Sequence, residues 1–222
     1  LKIVEKAENV TENGGENTQE KRYFAKVLWG GLLKSRKSAA LPGAKIYPPT
    51  LTNSDLANIK IAKEMGVTGV MQPFVRDHSD LERVKEVLRE AGAEDIRLFA
   101  KIENMDGVRK LEKLLPAADE IVIARGDLGN AVHLWDLPGV QRQISEKCRA
   151  AGKPFMVVTQ MLASMERSPV PTRAEVNDIF HAVMDGAASI MVTGETAVGD
   201  YPVEVIRYMV NTVRSAEKEE NR

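Results

Sequence analysis

Residues 121–129 read IVIARGDLG, a β-branched apolar run that stops at an arginine, a glycine and an aspartate. A short apolar run bounded by turn-forming residues predicts a strand buried on both faces. A buried strand has no use for that ending, so Arg125, Gly126 and Asp127 mark where the strand reaches solvent. Arg125 and Asp127 are two apart and project to the same side, while Gly126 leaves its backbone open to close approach by a ligand.

The same texture repeats outward from this stretch. Strand-like runs at 68–71, 97–102, 120–124, 154–159 and 189–193 alternate with amphipathic patterns near 54–65, 79–91, 106–115, 138–151, 172–185 and 202–218. That alternation predicts an α/β fold of βαβ units, a parallel sheet covered by helices. Polar residues gather at one end of each unit: Gln72 to Arg76, Lys101 with Glu103, Arg125 with Asp127, Thr159 with Gln160, and Thr193 to Thr196. These are all C-terminal strand ends, which form the active face of a (β/α)8 barrel. An open doubly wound sheet gathers ligands at the same ends, so the clustering speaks for function more firmly than for closure. Five strands against the eight of a closed barrel predict the C-terminal part of a TIM barrel. The beginning differs, with strand patterns at 1–7 and 23–29 around the turn-rich VTENGGENTQEKR. The expected organisation is a small β-rich unit over 1–43 and a partial barrel over 44–222. LKIVEK opens in strand-like alternation without a methionine, so upstream sequence is expected.

Lys+Arg (31) and Asp+Glu (32) nearly cancel over 222 residues. No net field favours nucleic acid or an anionic membrane, and any anionic ligand must be held by local charge. One cysteine, no signal-peptide pattern and no long apolar stretch give a cytoplasmic protein as the expectation. Cys148 has no histidine near it in sequence and reads as a partly buried structural thiol. His78, His133 and His181 share no metal-ligand spacing and read as surface or interface residues, and Trp29 and Trp135 read as packing residues.

Lys101 and Glu103 repeat the two-residue spacing of Arg125 and Asp127 on the preceding strand. Carboxylates from adjacent strand ends suit Mg²⁺, which takes a few protein carboxylates and completes its shell with water and substrate oxygens. A lysine beside them stabilises charge on a transferring phosphoryl group or an enolate. The competing explanation is structural, with rim ion pairs joining Lys101 to Asp127 or Arg125 to Glu103.

Four consecutive segments, KIENMDGVRKLEKLLPAADEIVIARGDLG, AGKPFMVVTQMLASM, SPVPTRAEVNDIFHAVMDGA and IMVTGETAVGDYPVEVI, closely resemble the pyruvate kinase family in order and spacing. GGLLKSRKSAALPG is more weakly similar to the family's passage from its lid domain into the barrel, which makes residues 1–43 a lid remnant. The resemblance implies glycolytic phosphoryl transfer from phosphoenolpyruvate to ADP, giving pyruvate and ATP. It implies Mg²⁺ or Mn²⁺ on Glu103 and Asp127, K⁺ as a further cation, and Lys101 stabilising the phosphoryl group in flight. Gly126, Asp127 and Thr159 would bind the enolate or pyruvate, Thr159 serving a proton relay; Arg125 would hold the site in shape and Lys37 would contact nucleotide. A homotetramer is the family's assembly.

Departures accompany the matches. Ser38-Ala39-Ala40, Pro73 and Ala131 stand where the family usually has Gly-Val-Asn, Ser and Glu. The family's first three barrel strands, with a phosphate-binding arginine and the monovalent-cation ligands, have no counterpart in the sequence. Neither does most of the lid or the C-terminal regulatory domain. A truncated relative with a structural or assembly role is therefore the alternative function. A metal-dependent lyase or aldolase is a third, opposed by PTRAE and TGETA.

Overall fold

The computed structural model describes residues 2–6, 23–32, 35 and 47–220. The chain divides into two compact units, Leu1–Ala39 and Ala40–Arg222. The first contains β1 (Lys2–Lys6) and β2 (Tyr23–Lys26), paired antiparallel with a register shift between Ile3 and Glu5. Trp29, expected to pack, is 86% exposed. Lys37 and the 43/44 boundary lie outside the described residues.

In the second unit, strands β3 (Gly69–Gln72), β4 (Arg97–Ile102), β5 (Glu120–Ala124), β6 (Phe155–Val158) and β7 (Ser189–Met191) form one parallel sheet in sequential order. A doubly wound sheet reverses its strand order at a switch point; this one advances in a single direction. Between the strands run α2 (His78–Glu90), α3 (Met105–Arg109), α4 (Leu111–Leu114), α5 (Arg125–Ala131), α6 (Leu137–Ala150) and α7 (Arg173–Met184), with α1 (Asn53–Ala62) before β3 and both α8 (Gly194–Ala197) and α9 (Pro202–Glu220) after β7. The helix expected over 106–115 breaks in two at Lys110. Two helices were not expected at all: α5, which begins directly after β5, and α8, which begins after a two-residue gap past β7.

Local signals set these boundaries. Thr52 with Asp55 and Thr172 with Glu175 make capping boxes at the starts of α1 and α7, each satisfying orphan amide donors in both directions. Three helices stop in the same way. Gly92, Gly152 and Gly186 take φ of 65°, 61° and 88° just past α2, α6 and α7, and the next amides, of Ala93, Lys153 and Ala187, donate back to Leu88, Cys148 and Ala182 at 2.8, 2.8 and 3.0 Å. This is the left-handed stop that glycine makes at little cost, and it turns the chain toward the next strand.

The two faces of the sheet differ. Leu98, Ala100, Ile102, Ile121, Ile123, Phe155 and Val157 pack beneath the helices with Leu81, Leu111, Leu114, Ile144 and Ile179. The opposite face carries a cluster of strand residues alone, Val122, Ala124 and Val158 with Phe99, Met156 and Met191. That second face is concave. Glu120 accepts a hydrogen bond from Ser189 at 2.6 Å although β6 lies between their strands. Strands two apart in a flat sheet are separated by about 10 Å, so side chains standing off the sheet meet only if it curls toward them. Arg97 joins this group, 3.2 Å from Glu120.

Cys148 is fully buried rather than partly so, and burial pushes its thiol up to about 12. Trp135 is 78% exposed and stacks on His133 at 4.7 Å, so neither tryptophan is a core residue. No described helix is long and apolar enough to cross a membrane.

One buried ion pair stitches the start of this unit together. Asp80 accepts from the Arg76 side chain at 2.6 and 3.1 Å, from the Arg76 amide at 2.9 Å and from Thr50 at 2.6 Å. Burial alone would raise its carboxyl, but the Arg76 and Thr50 hydrogen bonds outweigh that and hold it near 2 against an ordinary 3.8. Because the folded value lies below the unfolded one, the stabilisation is fully present above about pH 4. It is lost as pH falls toward 2, and amounts to about 2 kcal/mol. Acid titration of stability should lose this increment between pH 4 and 2 in the wild type, whereas Asp80→Asn should remove it at neutral pH and flatten that part of the curve.

Candidate active site

Register brings the expected residues to one rim. Ile102 pairs with Ile123 and Ala124 with Val158, so Glu103 lies level with Ala124, and Arg125 level with Thr159. Lys101 pairs with Val122, which puts it on the concave face. Asp127 follows in the first turn of α5. Gly126 lies against Thr159: a Cβ added there would meet the threonine methyl at 3.5 Å.

Both rim ion pairs offered as the structural explanation are absent. Lys101 Nζ instead contacts Glu103 Oε1 at 2.7 Å within its own strand. The other carboxylate oxygen of Glu103 accepts from the Phe74 amide at 2.7 Å. Glu103 is thus buried with both oxygens partnered, yet a carboxylate offers about four acceptor positions and retains capacity on its remaining lone pairs. Asp127 is the reverse, exposed and without a hydrogen-bond or ion-pair partner.

Arg125 turns away from both carboxylates. Its Nη1 lies 2.7 Å from Asp178 on α7, and its Nη2 donates to the Thr159 carbonyl at 2.7 Å and approaches Met161 Sδ at 2.8 Å. The Thr159 hydroxyl donates to the Val158 carbonyl at 2.6 Å. Glu195, in α8 after β7, is buried and accepts from the amides of Leu162 and Thr193 at 3.3 and 2.8 Å. It ties the loop after β6 to the loop after β7.

Among the described residues, left-handed backbone at non-glycine positions is confined to this rim. Among the described residues the non-glycine residues with positive φ are Phe74 (51°), Thr159 (74°) and Gln160 (53°), just past β3 and β6. Each such residue costs about 1–3 kcal/mol and persists only where its surroundings over-determine it. Sequence reading missed Phe74, Met161 and Asp178. Asp178 lies 53 residues from Arg125, and no local spacing signals that contact.

The described residues contain no cluster of three or more His, Cys, Asp or Glu side chains able to hold a metal by themselves. Two carboxylates, one free and one with spare lone pairs, fit Mg²⁺ or Mn²⁺, which draws the rest of its shell from water and substrate. They do not fit a closed structural zinc centre, which needs four protein ligands.

A family description, pyruvate kinase barrel domain, matches residues 10–206. The chain is 40% identical to a pyruvate kinase of Bacillus licheniformis over 202 residues, covering 91% of this chain and 34% of that protein. Against a pyruvate kinase of Geobacillus stearothermophilus it is 42% identical over 183 residues, covering 82% and 31%. Against one of Lachancea kluyveri it is 37% identical over 224 residues, covering 98% and 44%. The chain therefore spans about a third to two fifths of the length of the relatives it matches. With most of its length matched, the chain belongs to the pyruvate kinase family.

Proposed function

We propose that the chain supplies the metal and enolate half of a pyruvate kinase active site, for phosphoryl transfer between phosphoenolpyruvate and ADP. The observation that carries this reading is the rim itself: Lys101 against buried Glu103, an unpartnered Asp127, and Gly126 against a strained Thr159. A scaffold gains nothing from leaving a carboxylate free beside a lysine and a strained threonine.

Glu103 and Asp127 would hold the divalent ion, which when bound neutralises charge on phosphoryl and enolate oxygens. Lys101, anchored by Glu103, presents a cation to the phosphoryl group in flight without having to reorganise. Gly126 allows the pyruvate carboxylate to approach the backbone. The Thr159 proton is committed to the Val158 carbonyl, leaving lone pairs to accept a hydrogen bond and orient a water that protonates the enolate carbon. A hydroxyl is a poor acid alone, so its part is in a relay. Lys37 is assigned to nucleotide, K⁺ to a site built elsewhere, and the assembly to a homo-oligomer.

The sheet is read as five of eight barrel strands, and residues 1–43 as part of a lid. Support comes from the single-direction strand order, the curl toward the concave face, and apolar residues exposed at both edges. Ile61 and Met65 are 50% and 70% exposed near the β3 edge, and Val203 and Ile206 are 57% and 42% exposed on α9 after β7. Those edges also favour the second reading, a catalytically incomplete relative used in assembly. Pyruvate formation from phosphoenolpyruvate and ADP by the purified protein decides between them. Turnover that requires Mg²⁺ and disappears in Lys101→Met supports the enzyme, whereas Mg²⁺ binding without turnover supports the incomplete relative.

A further inference from the structure

Thr159 is β-branched, yet its φ is 74°, followed by 53° at Gln160. Left-handed backbone is a genuine outlier for such a residue, so something must hold it. The peptide that joins these two residues is gripped at its carbonyl by Arg125 Nη2 at 2.7 Å, and the same nitrogen lies 2.8 Å from Met161 Sδ. The opposite side of the guanidinium is fixed by Asp178, whose two oxygens both lie 2.7 Å from Nη1. Asp178 belongs to the outer helix layer, and its side chain makes no other polar contact among the described residues.

We propose that Asp178 is a positioning residue for Thr159, acting through Arg125. This rests on the reading of Thr159 as the relay hydroxyl. A guanidinium is a rigid planar fork, so pinning one nitrogen sets the direction of the other. The direction of Nη2 sets the plane of the 159–160 peptide, and with it the position from which the Thr159 hydroxyl reaches its water. Lysine has a single head and cannot span Asp178 and the Thr159 carbonyl together. The role is therefore specific to the arginine–aspartate combination and differs from neutralisation of charge.

The test uses Asp178→Asn, which keeps the shape and one acceptor but removes the charge, with Arg125→Lys as a second variant. Exchange of pyruvate methyl protons with solvent reports the relay, and the Thr159 methyl carbon resonance, assigned by its loss in Thr159→Ala, reports position without any need for activity. Misplacing a reacting group by about an ångström costs up to roughly a hundredfold, so exchange should fall by about tenfold to a hundredfold in Asp178→Asn. Saturation by pyruvate should change less than exchange does, the Thr159 resonance should move in both variants, and Asp178→Asn should cause no further loss in a Thr159→Ala background. The proposal is overturned if the resonance stays in place, or if Asp178→Asn lowers exchange by the same factor with and without Thr159. Should the wild type exchange no pyruvate protons, the relay reading of Thr159 fails, and the resonance alone decides whether Asp178 sets its position.

Discussion

Asp127→Asn is expected to leave the melting temperature unchanged while Mg²⁺ affinity collapses and turnover falls by roughly 10²–10³-fold, the scale on which one preorganised charge-stabilising group acts. The stability half of this follows from the surroundings. Asp127 is exposed in the first turn of α5 and has no ion-pair partner, because Lys101 is taken by Glu103 and Arg125 by Asp178. An amide in its place leaves no buried cation behind. Had Asp127 neutralised either cation, the same change would have destabilised the fold with no effect on metal. Calorimetric melting and a Mg²⁺ titration on one sample separate the two outcomes, and lost stability with unchanged Mg²⁺ binding would reject the metal assignment.

Glu103→Gln is expected to damage both properties. Glu103 is 3% exposed, receives Lys101 Nζ at 2.7 Å and accepts from the Phe74 amide at 2.7 Å. Neutralising it strands a half-buried ammonium beside an amide that can turn only one oxygen toward two donors. Breaking a buried pair from one side costs about 3 kcal/mol or more, which for a domain of this size is a fall of roughly 6–12 °C in melting temperature. Metal affinity should drop as well. The two carboxylates, chemically alike, are thus separable by thermal melting: Glu103→Gln lowers it and Asp127→Asn does not. A Glu103→Gln variant as stable as the wild type would mean that the Lys101–Glu103 pair is not formed in solution.

The strands and the long helices were legible because their signals are local. Short apolar runs mark the strands and amphipathic patterns mark the helices, and each signal lies within the element it causes. α5 was not legible: ARGDLGNA carries two glycines, poor helix formers, and its first turn is imposed by the strand end and by the packing of Leu128, which is fully buried. The site residues could be named from spacing, but their pairings could not. Spacing offered Lys101 with Asp127 and Arg125 with Glu103, whereas the structure pairs Lys101 with Glu103 along its own strand and Arg125 with Asp178 on α7, a contact that no local spacing signals. Trp29 and Trp135 were misread for a related reason, since an aromatic residue announces its size but not what covers it.

In the proposed active site a divalent ion and pyruvate meet at Glu103, Asp127, Gly126 and Thr159. Isothermal titration of pyruvate with and without Mg²⁺, and of Mg²⁺ with and without pyruvate, tests this, because a metal that contacts the bound pyruvate changes its affinity by the same factor as pyruvate changes the metal's. Mutual tightening of about tenfold or more is expected in the wild type, abolished in Asp127→Asn. Independent binding of the two, or tightening that survives Asp127→Asn, would contradict it.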